Sequence, residues 1–420
     1  MILPKNTKKG ESPSANLPFF GLPVTSGTTL PLNLLKNRKT HGVSSESTSW
    51  KIDCIDQRPG IRLLLVLSFV ISYAVPYAQT DSDTVEADQK DKVKVSGSAD
   101  VYYRFQPVQT DGATATSFTG TQNRFTPGMA SVSFQYTTRK LDLVADLGFG
   151  PRVREYTYNE TGISQAIKQV YLSFSPIKSL KLTAGTFATH LGYEVLDPQL
   201  NRNYSMSYLF SRSPFFHTGI KAEYGSERQG LMLGVANPSD YIVVPENHLN
   251  KKTLLAQYRF TPSQRFKLYL NYAGGKAPDT VRSDQFDLAG SVTVNPRFSL
   301  GFSGVYAIIK EWDVQLHQNL KGKSWWSGVL YFNYDFAEWA GLTWRSEWFN
   351  DHLHLKPING KQEADRVFAN TLSANFRSGH FTLIPEIRYD HSRSGKSLYD
   401  LHLQSLPGDL SFLLAAICYF

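Results

Sequence analysis

Cysteine is nearly absent from this chain: Cys54 and Cys418 are the two in 420 residues. Cys54 falls in a segment expected to be removed, which leaves one thiol and excludes both an internal disulfide framework and a thiolate metal cluster. Long apolar runs are also scarce. The one clear run, Leu63 to Val75 in IRLLLVLSFVISYAVPYAQ, follows Arg58 and Arg62. It is too short for the roughly 20 residues of a spanning helix, and it fits the 7–15 apolar residues, approximately, of a secretory signal core. A strong charge of one sign is lacking too. The formal net charge of +8 comes mostly from residues 1–78, which hold 9 bases and 4 acids, so the exported part carries only +3. A nucleic-acid partner loses its main support on that count.

The expected organisation follows from these gaps. Residues 1–60 are rich in Ser, Thr, Asn, Pro and Lys without sustained periodicity and read as a disordered extension. A signal normally begins a chain, so either the start is assigned too early or the presequence is unusually long. The signal covers 61–78. Cleavage after Ala78 would leave Gln79 first, with Pro76 a poor fit at the third position back; cleavage after Ala74, with Ser72 at that position, is the alternative. Cys54 is not followed by a signal core, which argues against a lipid anchor. Residues 79–91 form a linker.

From Lys92 onward the chain alternates. In KVKVSGSADVYYRFQ, Val93, Val95, Gly97, Ala99, Val101, Tyr103 and Phe105 share one phase, and Lys94, Ser96, Ser98, Asp100, Tyr102, Arg104 and Gln106 the other. Period two places the phases on opposite faces of a sheet. Sixteen such segments are expected: 92–106, 128–136, 141–149, 166–174, 180–189, 217–224, 230–236, 253–260, 265–273, 285–294, 298–308, 325–334, 340–348, 367–376, 381–390 and 411–420.

The connections sort by length. TTRK, SPIKS, GSERQG, TPSQ, NPR, DFAE and RSGH are short and rich in turn formers, and they alternate with long segments such as EVLDPQLNRNYSMSYLFSRSPFF. A soluble sandwich has no reason to sort loops by end; a transmembrane β-barrel has short turns on one side and long loops on the other. Every second strand also ends its apolar phase on an aromatic ring: Tyr136, Phe174, Tyr224, Phe260, Tyr334, Phe376 and Phe420, with Val294 the exception. Rings at that height form an interfacial girdle. The expected fold is therefore all-β, an antiparallel up-and-down barrel of about 16 strands, a size that leaves an aqueous channel.

The stretches LVADLGFGPR at 143–152, LTAGTFATHLGYEVLDPQLNRNYSMSYLFSRSPFFHTGIKAEY at 182–224 and LGVANPSDY at 233–241 resemble the OmpL-like β-barrel porin family of Bacteroidetes-type bacteria, over about residues 92–420. The resemblance implies an outer-membrane porin. Phe420, closing an alternating last strand, resembles the signal read by the barrel-assembly machinery.

The polar phase should line the lumen. It supplies nine bases, Lys94, Arg104, Lys168, Lys181, Lys221, Arg259, Lys267, Arg345 and Arg388, and eight acids, Asp100, Asp142, Asp146, Glu223, Asp287, Glu347, Glu386 and Asp390. That mixture predicts weak ion selectivity, with many of these side chains pairing across strands. The third long loop, about 190–216, either folds inward, where Asp197, Arg202 and Arg212 would set a constriction, or packs as an external lid.

Signals for chemistry are weak. Neither HExxH nor GxSxG occurs, GFSG at 301–304 sits within a strand, and His352 with His354 lack an accompanying ligand cluster. No cofactor, metal or catalytic residue is expected. The expected function is passive diffusion of small hydrophilic solutes and ions, with outer-membrane lipid as surroundings and a homo-oligomer as an assembly option. A substrate-specific channel, or a closed structural or adhesive platform, is the alternative.

Overall fold

The computed structural model describes residues 91–108, 116–276, 282–310, 312–313, 318–319, 322–353, 355, 366–392, 398–399 and 405–420. The expected extension, the signal and nearly all of the linker lie outside the described residues, as does His354.

Sixteen long strands close into one barrel. They are β1 (Lys92–Phe105), β2 (Arg124–Thr137), β3 (Leu141–Phe149), β4 (Ile167–Ile177), β5 (Leu180–Ala188), β6 (Phe216–Gly225), β7 (Gln229–Ala236), β8 (Thr253–Ser263), β9 (Phe266–Lys276), β10 (Arg282–Asn295), β11 (Phe298–Lys310), β12 (Lys323–Ala337), β13 (Ala340–Asn350), β14 (Arg366–Ser378), β15 (Phe381–Ser392) and β16 (Gly408–Tyr419). Each pairs antiparallel with its sequence neighbours, and β1 pairs with β16 from Ser98↔Tyr419 to Phe105↔Phe412. Closure satisfies every edge, which a sheet in hydrocarbon requires. The sixteen expected strands are all present. Several run longer than the alternation alone indicated: β2 starts at Arg124 rather than 128, and β16 at Gly408 rather than 411.

At the seam Gly97 and Phe420 exchange two backbone hydrogen bonds, of 3.1 and 3.0 Å. Gly97 has a steric reason to be glycine: a Cβ there would come within 2.7 Å of the Phe420 ring and 2.8 Å of the Ser131 carbonyl oxygen. The ring thus lies directly over the backbone of β1.

The two phases of each strand meet different surroundings. In β1, Val93, Val95, Val101 and Phe105 are exposed on the outside, whereas Ser98, Asp100, Tyr102 and Arg104 are buried inside. The seven aromatic residues expected at the turn end all point outward and are exposed. A second belt marks the loop end, with Phe105, Phe149, Phe286, Tyr306, Trp326, Trp348, Phe368, Tyr389 and Phe412 outward. The opening alternation is thus apolar toward lipid and polar toward the lumen.

Leu330 on β12 lies midway between Trp326 of one belt and Tyr334 of the other, and it is half exposed. Leu330→Arg is expected to cost about 2–4 kcal/mol, the depth-dependent price of a cation on the lipid face. Glu338→Gln in the following turn should change stability by less than about 0.5 kcal/mol. Urea unfolding of the barrel in lipid vesicles, followed by tryptophan fluorescence, measures both.

Candidate functional site

Residues 189–215, between β5 and β6, do not form an external lid. They run through the barrel and contact inward-facing side chains on β1, β10, β12, β13, β14 and β15, and the Tyr272 backbone carbonyl on β9. A chain segment without a ladder brings unmet backbone N–H groups into the lumen, and each needs an acceptor. Wall carboxylates provide them. Glu386 accepts from the amides of Tyr204 and Ser205 at 3.0 and 3.4 Å. Glu347 accepts from those of Tyr208 and Leu209, both at 2.7 Å, and also from Ser327. These two amides begin α2 (Tyr208–Arg212), a single turn within the segment. Asp287 accepts from Gly192 at 3.0 Å, and Asp100 from the Tyr204 hydroxyl.

Arginines complete the attachment by taking carbonyl oxygens. Arg345 donates to Glu194 at 2.6 Å and to the Ser205 carbonyl at 2.5 Å, with further bonds to Met206 and Thr371. Arg388 donates to the Met206 carbonyl at 2.7 Å and to Asp390 at 2.8 Å, and Asp390 in turn accepts from the Tyr208 hydroxyl. Because both charges of these pairs sit away from water, removing either partner would strand the other.

Apolar packing fills what the polar contacts leave. Tyr208 and Leu209 join Val305, Ala307, Trp325, Phe349 and their neighbours on β11–β14. Tyr204 packs with Tyr102, Ile384, Leu413 and Ile417 across the seam. Leu191 lies among Phe187, Met232, Leu255 and Ala273 on β5–β9. Leu196, Met206, Phe210 and Phe215 pack with Phe118, Met129, Val153 and Tyr156, so the segment meets the wall on both sides of the lumen.

Two residues outside the segment hold it from above. Gly150, at φ 123°, turns the chain out of β3 into α1 (Pro151–Tyr156), a start that proline at the first helical position favours. The next residue, Arg152, is fully buried and donates to the carbonyls of Leu196 and Tyr204 at 2.9 and 3.0 Å, lying over the Phe118 and Tyr204 rings. Asp240 accepts from the amides of Phe215 and Phe216 at 2.7 and 3.1 Å. The three motifs that carried the family resemblance are therefore parts of one assembly.

The residues singled out as lumen-facing divide into two groups. Arg104, Asp146, Arg345, Glu347, Glu386 and Arg388 are buried. Arg104 lies 3.7 Å from Asp409, and Asp146 accepts from Lys168 at 3.0 Å. Lys181, Lys221 and Arg259 keep contact with open space. Lys181 bonds Asp142 at 2.9 Å, and Lys221 lies 3.6 Å from Glu223 and over the Phe187 ring. Arg259 donates to the Ser226 and Glu227 carbonyls at 2.6 and 2.8 Å.

Of the loop residues, Asp197 pairs with Lys168 at 2.5 Å, and Arg202 holds Asp335 in a fork of 2.9 and 2.6 Å. Arg212 is buried against the Phe349 ring. Sequence reasoning passed over Arg152, Glu194, Tyr204, Tyr208 and Asp240. The available signals were the GFGPR turn and the unusual density of Tyr and Phe in a polar loop.

The family described as "Putative beta-barrel porin-2, OmpL-like" matches residues 92–420. No curated protein matches the chain in sequence. Among solved structures, the outer membrane channel DcaP of Acinetobacter baumannii is similar at a TM-score of 0.54 and 10% identity, over 80% of this chain and 99% of that one. The anion-selective porin from Comamonas acidovorans is similar at 0.53 and 10% identity, over 79% and 100%. So is OmpT of Vibrio cholerae, in-vitro folded and in trimer form, at 0.53 and 12% identity, over 79% and 99%. At these identities the structural likeness establishes the fold alone. With the family match spanning the whole barrel, the chain belongs to the OmpL-like porins, channels of the bacterial outer membrane.

Proposed function

We propose that this porin is a passive diffusion channel for small hydrophilic solutes and ions, narrowed at mid-depth by segment 189–215. The observation that supports this reading is the fixing of that segment to inward-facing carboxylates and arginines on β1, β10, β13 and β15. Open space remains along β5–β8, at the turn end. In this reading Lys181, Lys221 and Arg259 line the path. Arg104, Asp146, Arg345, Glu347, Glu386 and Arg388 hold the wall and the constriction in place. Arg202 borders the remaining lumen, while Asp197 and Arg212 are anchors.

No residue is assigned a catalytic role, and the barrel is read as non-enzymatic. A homo-oligomer belongs to the proposal, since one structural neighbour is described in trimer form. So does recognition of the terminal strand by the barrel-assembly machinery.

The channel is tested by purifying the protein from the outer membrane of a Gram-negative expression host and inserting it into planar bilayers. Discrete open steps are expected. Silence from a folded, heat-modifiable barrel would replace the channel with a closed platform presenting its long loops. Arg345→Ala tests the constriction: it strands Glu194 and should cost about 3–5 kcal/mol. The loosened segment should give larger and noisier conductance. Replacing residues 194–212 by a short Gly-Ser linker should raise conductance further, and unchanged conductance would place the narrow point elsewhere.

A further inference from the structure

The inserted segment changes the charge of the lumen, and it does so unevenly. Carboxylates only accept hydrogen bonds, so they are the groups that a segment rich in unmet N–H donors draws upon. Of the eight acids in the inward phase, Asp100, Asp146, Asp287, Glu347, Glu386 and Asp390 are buried; Asp142 and Glu223 remain accessible. Of the nine bases, Arg104, Lys168, Arg345 and Arg388 are buried; Lys94, Lys181, Lys221, Arg259 and Lys267 remain. Of these seventeen groups, near neutrality in sequence, five bases and two acids thus keep contact with solvent.

Five of these seven accessible groups, Asp142, Lys181, Lys221, Glu223 and Arg259, lie close together. Lys181, Glu223, Met232 and Gln257 form one cross-strand row on β5–β8, with Lys221 one row toward the loops and Arg259 one row toward the turns. Lys181, Glu223, Met232, Gln257 and Arg259 border a cavity of about 790 Å³ that Lys178 and Glu227 also line. Both accessible acids have a lysine within 3.6 Å. Arg259 rests on two carbonyl oxygens, so its charge is not cancelled by a carboxylate in those contacts. On the other side of the lumen, Arg202 and Arg377 share the single acid Asp335, all three partly exposed.

We infer that the open lumen along β5–β8 is an anion-attracting vestibule and that the channel passes small anions, such as chloride, inorganic phosphate and short carboxylates, in preference to cations. This deepens the channel reading above and rests on it. Fixed charges of one sign in a cleft with low-dielectric walls raise the local concentration of counter-ions. The preference should fade as salt shortens the screening length, which is roughly 10 Å at 0.1 M.

Reversal potentials in a potassium chloride gradient test this on the protein purified from outer membranes. The expected sign is anionic, with chloride favoured by roughly threefold or more at low salt. Lys181→Glu/Arg259→Glu should turn the preference toward potassium, and the gentler Lys181→Gln/Arg259→Gln should bring it near neutrality. Asp142→Asn/Glu223→Gln should strengthen it. Heat-modifiable migration of each variant reports folding. Open channels with zero or cationic reversal potential, or a preference unmoved by charge reversal in folded variants, would overturn the inference while leaving the channel reading intact. Absence of any conductance from the folded wild type would overturn both.

Discussion

The interaction on which the rest of the lumen depends is a carboxylate on the barrel wall accepting backbone amides from a segment that has no ladder of its own. An irregular chain inside a barrel must satisfy its N–H and C=O groups on side chains or water. Glu347 and Glu386 each take two successive amides, and Arg345 and Arg388 take the neighbouring carbonyls. Donors and acceptors of the same short stretch are thus met by opposite charges two residues apart on one strand, Arg345 with Glu347 on β13 and Glu386 with Arg388 on β15. Coulomb attraction between those charges then adds to the hydrogen bonds rather than opposing them.

That arrangement separates two roles that look alike in sequence. A lysine or glutamate in the inward phase can solvate a pore or fix a segment across it, and alternation assigns both to the same face. Burial distinguishes them: Glu347 is sequestered beneath α2, whereas Glu223 stays beside water. The partition follows from geometry. Residues 189–215 take their polar anchors from β1, β10 and β12–β15, so the charges that meet the segment there become structural, while Lys181, Lys221 and Arg259 on β5–β8 keep their solvent.

The barrel was legible because period two is imposed by the pleat itself and because turn chemistry marks each reversal. Strand count, facing and the girdle from Tyr136 to Phe420 came from those signals. The start of β2 at Arg124 did not: there Phe125 and Thr126 precede Pro127 and Gly128, residues that usually end a strand, and the β1–β2 ladder shifts register near Asp100 to accommodate them. The inward course of residues 189–215 was one of two open readings, since Tyr204, Tyr208 and Phe210 suit a lid core as well as a lumen core. What decides between these is long-range pairing, such as Arg345 with Glu194, separated by about 150 residues, which no local pattern encodes.

Fixing one segment to β1, β10, β13 and β15 also has a mechanical meaning. A thin-walled cylinder under lateral membrane pressure deforms most easily by flattening, which moves opposite walls together in one direction and apart in the other. Residues 189–215 act as an internal brace, bearing load in both directions through ion pairs and packed rings. The cross-section of this barrel is therefore set by a diameter-spanning member as well as by its hydrogen-bonded circumference.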